Sequence, residues 1–296
     1  MQPYRIRSIS QYHQFRGLSG PAHPLVSLVR MEDIARLNDD EPAYIVQDFY
    51  SIALKKDVNC VLQYGQQTYE FGEGRMMFIA PDQVYSLSAR SKLTHSGWLL
   101  LVHPDFFWNT SLMVKMRQYE YFGYAVNEAL YLSAREEKSM VGILEDIERE
   151  YQSNIDQFSK PVILSQIELL LNYADRYYHR QFLTGEKENH QVLARLEEVL
   201  ATCFDSESLI NKGLPSVADI SDRLNMSPNY LSGLLKVLTG KSTQQHIQDK
   251  VIEKAKERLS VSELSISEVA YALGFEYSQS FSKLFKSKTG QTPSEY

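Results

Sequence analysis

Residues 216–240 read SVADISDRLNMSPNYLSGLLKVLTG, and residues 265–290 read SISEVAYALGFEYSQSFSKLFKSKTG. Set one above the other, they align with one extra residue in the second copy, just after Leu224-Asn225-Met226 or Leu273-Gly274-Phe275. Their closing Thr-Gly pairs lie 50 residues apart. Each copy opens on a serine with an acid three positions on, Ser216 with Asp219 and Ser265 with Glu268, the reciprocal cap that starts a helix. A small residue, Ser221 or Ala270, stands where two short helices must cross closely. A turn at Asn225-Met226 or Gly274-Phe275 follows, and a second helix runs to a glycine stop at Gly240 or Gly290. The pattern predicts a helix-turn-helix, present twice.

Ile220, Leu224, Leu231, Leu234 and Leu235 fill a core on any helical reading, so they do not decide function. The outward face of each second helix does. Asn229, Tyr230, Ser232 and Lys236 in the first copy, then Ser278, Gln279, Ser282, Lys283 and Lys286 in the second, include the residue types that bond base edges and phosphates. Residues 205–296 hold 11 basic and 11 acidic residues, so binding to a polyanion must be local. Lys283, Lys286 and Lys288, with no acid between Tyr277 and Gly290, are read as a patch facing phosphate. Between the copies, TQQHIQDKVIEKAKERLS at 243–260 reads as one helix with Ile247, Val251, Ala255 and Leu259 on a stripe. At 1.5 Å per residue it spans about 25 Å, and major-groove segments on one duplex face recur about 34 Å apart, so one chain can touch two successive grooves.

These residues resemble the AraC/XylS family of bacterial transcription regulators over about 191–296. The resemblance rests on residues 219–232, then Ile252-Glu253-Lys254-Ala255, Ser267-Glu268-Val269-Ala270 and Leu273-Gly274-Phe275. It continues through Ser280-Phe281-Ser282-Lys283-Leu284-Phe285-Lys286 and Thr292-Pro293-Ser294-Glu295-Tyr296, a point past which relatives commonly run on. It implies recognition helices from about Pro228 to Leu238 and Ser278 to Lys288, with Asn229, Ser232, Ser278, Gln279 and Lys283 facing bases. Gly233 departs from the long side chain many relatives carry, which implies fewer direct base contacts from the first helix and more reliance on phosphate or DNA shape.

Upstream, short β-rich runs broken by turn residues fill residues 44–102, a spacing that suggests an antiparallel barrel or sandwich: YIVQDFYSIAL, VNCVLQYGQQTYEF, MMFIAP, YSLSA and GWLLLV. A helical period follows, through Met140, Leu144, Ile147, Tyr151 and Ile155, and a second helix opens at Lys160-Pro161. The polar stretch around Thr184–Asn189 reads as a linker. With the family resemblance, the fold class is α+β: a cupin-like antiparallel β-barrel at 1–130, a helical hairpin at 131–183, a linker at 184–190 and an all-α DNA-binding domain at 191–296. The barrel is expected to sense a small polar effector such as a sugar through Phe49, Tyr64, Tyr85 and Trp98. The hairpin is expected to dimerise through Leu144, Ile147, Tyr151, Leu170 and Leu171.

Cys60 and Cys203 are the two cysteines and form no CxxC, which excludes a disulfide framework and a thiolate zinc site. The seven histidines lack partners at metal-binding spacing, and Tyr85 stands where metal-binding cupins carry a histidine, so no metal and no cofactor is expected. No Gly-x-Ser-x-Gly, Walker loop or dinucleotide turn occurs, and catalysis is not expected. Net charge −6, the lack of an apolar leader and the lack of a membrane-length apolar run fit a cytoplasmic protein without membrane contact. The function read from the chain is an effector-controlled transcription regulator, a homodimer on double-stranded promoter DNA, with RNA polymerase as a further partner. Two rivals are a metal-dependent cupin enzyme with a helical interaction module and a regulator whose N-terminal domain only dimerises.

Overall fold

A computed structural model describes residues 3–34, 44–56, 61–64, 67–70, 74–86, 96–125, 128–153, 156–184, 186–204, 209, 213–261 and 264–296. The chain divides into two compact units, Met1–Gln181 and Phe182–Tyr296.

In the first unit, strand β1 (Tyr4–Ile6) and helix α1 (Ile9–Phe15) precede β2 (Val26–Arg30), β3 (Tyr44–Gln47) and β4 (Tyr50–Lys56). A hairpin of β5 (Val61–Tyr64) and β6 (Gln67–Glu70) follows, then β7 (Arg75–Ile79), β8 (Tyr85–Ser86) and β9 (Ser96–Val102). Helix α2 (Ser111–Lys115), strand β10 (Leu130–Tyr131) and helices α3 (Ala134–Gln152) and α4 (Ser159–Thr184) complete the series. The main sheet has the order β10-β7-β4-β9-β2, and a second sheet the order β1-β3-β8.

The run 44–54 is not one strand. It breaks at Asp48-Phe49, where the Gln47 carbonyl accepts the Asp82 amide at 2.9 Å, so β3 joins β1 and β8 while β4 enters the main sheet. Among the described residues no strand pairing joins these sheets into the closed barrel expected from the sequence. The apolar run of β9 is buried on both faces, which is why it reads as continuous rather than alternating. Ala53, Met77, Leu99 and Leu101 face a core shared with Ile6, Ile9, Ile45, Phe49 and Tyr85. Register places Leu54, Met76 and Trp98 in the adjacent row, on the opposite face. There the Phe78 ring meets Phe122 edge-on and Tyr121 and Tyr178 at a tilt, and the buried phenols of Tyr121 and Tyr178 donate to the carbonyls of Leu171 and Glu128 at 2.9 and 3.0 Å.

The hairpin helices begin where capping chemistry puts them. Ser133 and Glu136 form a reciprocal cap on α3, and the Asp156 carboxylate accepts from the amides of Phe158 and Ser159 at the start of α4. The expected linker is mostly helix, since α4 runs to Thr184 and α5 (Glu186–Cys203) starts two residues later.

The second unit continues with α6 (Val217–Leu224), α7 (Pro228–Thr239), α8 (Thr243–Val261), α9 (Ile266–Ala272) and α10 (Ser278–Thr289). Ile220, Leu231, Leu235, Val251, Ala255, Val269, Phe281 and Phe285 are fully enclosed, each apolar side chain contributing on the order of 1–3 kcal/mol. Helix α8 packs against α7, α9 and α10, so the two repeats share one core.

Candidate DNA-binding surface

The first helices of the two repeats match bond for bond. The Ser216 amide donates to the Asp219 carboxylate at 2.8 Å and the Asp219 amide donates back to the Ser216 hydroxyl at 3.2 Å; Ser265 and Glu268 repeat this at 2.8 and 3.3 Å. The hydrogen bonds from Ser265 hold the Glu268 carboxyl below its ordinary pKa. Helix α6 ends with the Met226 amide on the Ser221 carbonyl at 3.0 Å, and α9 with the Phe275 amide on the Ala270 carbonyl at 3.0 Å. The intervening Asn225 and Gly274 have φ of +56° and +84°, the left-handed stop of a Schellman turn.

Glycine at 274 is required twice over. A β-carbon there lies 2.9 Å from both the Gly213 carbonyl carbon and the Leu214 nitrogen. The close approach of the 213–215 loop to the second turn therefore excludes any side chain.

The second helices stop alike but start differently, because Tyr277, the residue before α10, makes no side-chain cap. The Ser227 hydroxyl accepts the Tyr230 amide at 3.2 Å, with Pro228 in the first turn. At the far ends, the Thr239 and Thr289 hydroxyls donate to the carbonyls of Leu235 and Phe285, each at 2.8 Å, before Gly240 and Gly290 terminate the helices.

On α7, Asn229 and Lys236 are exposed and Ser232 is half-buried, an i, i+3, i+7 stripe. Tyr230 is half-buried, its ring edge-on to Phe182 with centroids 5.1 Å apart, and Gly233 is buried. That flank of α7 is thus covered within its own unit. On α10, Gln279, Lys283 and Lys286 are exposed at i, i+4 and i+7, with Ser278 and Ser282 half-buried beside them. The Ser282 hydroxyl donates to the Ser278 carbonyl at 3.0 Å, so only its lone pairs face outward. Ser280 and Tyr277, not singled out from the sequence, are also exposed.

Lys288 does not belong to the patch. At 100° per residue it lies about 140° around the helix from Lys283. Its ammonium meets Asp249 Oδ1 of α8 at 3.0 Å, while Lys241 takes Asp249 Oδ2 at 2.7 Å. Partial burial works to raise the Asp249 pKa, and the two lysines bring it below the ordinary value. The cations on the outward stripe of the second helix are therefore Lys283 and Lys286.

The expected effector residues separate. Phe49 and Tyr85 meet in the core between the sheets, where the Tyr85 phenol, kept neutral by burial, donates to Gln47 Oε1 at 2.9 Å. Trp98 lies on the opposite face of the main sheet, between the Arg30 guanidinium at 4.3 Å and the Lys56 ammonium at 5.2 Å from its ring centroid. The side chain of Tyr64 lies outside the described residues. The expected dimer residues Leu144, Ile147, Leu170 and Leu171 are at most 1% exposed in the single chain, consumed by packing inside their own unit. Tyr151 accepts the Ala22 amide on its hydroxyl at 2.7 Å. His13 is a satisfied core histidine, with Nε2 2.8 Å from the Ser27 hydroxyl and Nδ1 against the Ser19 carbonyl. No cluster of three metal-ligating side chains occurs among the described residues, and no described helix is long and apolar enough to cross a membrane.

The model of a family described as a helix-turn-helix domain matches residues 220–296. The raffinose operon transcriptional regulatory protein RafR of Pediococcus pentosaceus is 37% identical over 81 residues, 27% of this chain and 29% of that protein. The HTH-type transcriptional regulator YfiF of Bacillus subtilis is 31% identical over 139 residues, 47% of this chain and 41% of that protein. The match thus spans less than half the length of these curated relatives. Among solved structures, the C-terminal domain of the response regulator yesN from Fusobacterium nucleatum is 29% identical, covers 37% of this chain and 97% of that chain, and has a TM-score of 0.30.

Proposed function

Because residues 220–296 form an AraC-type helix-turn-helix domain, we propose that the chain regulates transcription from double-stranded promoter DNA, reading it with both α7 and α10. The observation that carries this reading is the pair of helix-turn-helix units whose first helices share a reciprocal cap, each unit turning a polar stripe outward: Asn229, Ser232 and Lys236, then Gln279, Lys283 and Lys286. Amide side chains such as Asn229 and Gln279 suit adenine edges, and Lys236 and Lys286 suit phosphate. The first unit is read as a cupin-like effector domain, supported by two sheets that share a core holding Phe49 and Tyr85. Acting as a homodimer in the cytoplasm, with RNA polymerase as partner and without catalysis, completes the proposal. The regulators RafR and YfiF support the regulatory class.

Selection of bound duplexes from a random pool, repeated with a Gln279→Ala, Lys283→Ala double variant at fixed salt, tests it. A motif enriched by the wild type and lost by the variant supports specific readout. The same motif from both proteins, or none from the wild type, counts against it.

A further inference from the structure

We propose that the first unit holds a small carboxylate, with the guanidinium of Arg16 as its receptor, an inference that rests on reading this unit as an effector domain. Arg16 closes the C-terminal end of α1, its amide donating to the Tyr12 carbonyl at 2.9 Å. Its Nε and Nη1 are shut off from solvent and have no hydrogen-bond partner. Arg5 pairs with Asp48 and Asp82, Arg30 with Glu148 and Arg180 with Glu136, whereas no carboxylate among the described residues pairs with Arg16.

A guanidinium cannot shed its proton at any ordinary pH, so this charge is not relieved by neutralisation. Withdrawing its N–H groups from water without an acceptor is costly, and an anion is the partner that removes the cost. The polar neighbours are already committed. The Tyr85 phenol donates to Gln47 Oε1, and Gln47 Nε2 is spent on the Phe49 carbonyl at 2.8 Å and the Ser51 hydroxyl at 2.5 Å. A single guanidinium balances a monoanion better than a phosphate dianion. Arg16 as a whole residue is half-buried.

The test is thermal melting of the full chain at constant ionic strength with matched probes: galacturonate against galactose, benzoate against benzamide, and inorganic phosphate. At least one carboxylate should raise the melting temperature by about 2 °C or more while its neutral counterpart does not, and Arg16→Met should abolish the shift. Without any probe, Arg16→Met should melt no lower than wild type, because it removes an uncompensated charge, and Arg16→Lys should keep part of the carboxylate response. No carboxylate shift, an equal shift from the neutral probes, a shift that survives Arg16→Met, a response to phosphate alone, or a lowered melting temperature of Arg16→Met would each overturn the proposal. A carboxylate that binds through Arg16 without changing DNA affinity supports the site and refutes effector control; failure of DNA selection leaves the melting result readable on its own.

Discussion

Replacing Gly274 by alanine isolates the close approach on which the second helix-turn-helix depends. The φ of +84° costs an L-residue on the order of 1–2 kcal/mol. The added methyl also lands 2.9 Å from two atoms of the 213–214 backbone, which must retreat at a further cost of about 1–3 kcal/mol. Gly290 supplies the control: its φ is +82°, yet a β-carbon there meets nothing within 4 Å. Gly290→Ala should therefore cost only the conformational part, about 1–2 kcal/mol, and Gly274→Ala about 2–5 kcal/mol. Urea unfolding followed by circular dichroism reads both, with unchanged slopes showing that the midpoints report stability. Equal losses for the two variants would mean that the 213–215 loop yields freely and that the packing argument is wrong.

Gln279→Ala should cost about 1–3 kcal/mol on a selected duplex and relax preference at one position, whereas Lys286→Ala should weaken every duplex alike and lower the salt slope by about 1, both read by fluorescence anisotropy across a salt series. Lys288→Ala should leave that slope unchanged, because its ammonium is held by Asp249 on another face of α10. Leu170→Ala should lower stability by about 2–5 kcal/mol at every protein concentration, since the side chain is fully enclosed in its own chain; a loss seen only on dilution would mark a dimer contact instead. For Glu136, burial raises the pKa, but the Ser133 amide and hydroxyl and Arg180 bring it below the ordinary 4.5. A depressed carboxyl contributes stability above its unfolded pKa and loses it as pH falls through the folded value. The stability gap between wild type and Glu136→Gln should thus be present at neutral pH and close below about pH 4.

The second unit was legible because its signals are local. A serine with an acid three residues on, an Asn or Gly at the left-handed stop and a Thr-Gly terminus each act within a few residues, and all recur. Lys288 was misplaced only because charge was counted along the chain rather than around the helix. The first unit was less legible because its pairings are not local: β1 lies parallel to β3 some 40 residues on, and neither β1, β2 nor α1 carries a long periodic run. The same limit scattered the aromatic candidates. Register alone puts Trp98 and Leu99 on opposite faces, but which face meets Tyr85 depends on β8 leaving the main sheet for β3. Leu144 and Leu170 read as a dimer stripe because an apolar face gives no sign of whether the surface covering it belongs to the same chain.

Hydroxyl-radical footprinting of the full chain on a selected duplex tests the central claim most directly. Helix α8 holds 19 residues, about 28 Å of rigid separation, so α7 and α10 of one chain should protect two segments on one duplex face, about one helical turn apart. Lys236→Ala should weaken one segment and Gln279→Ala the other. A single protected segment that responds to both substitutions, or none at all, would contradict two-groove reading by the paired helices.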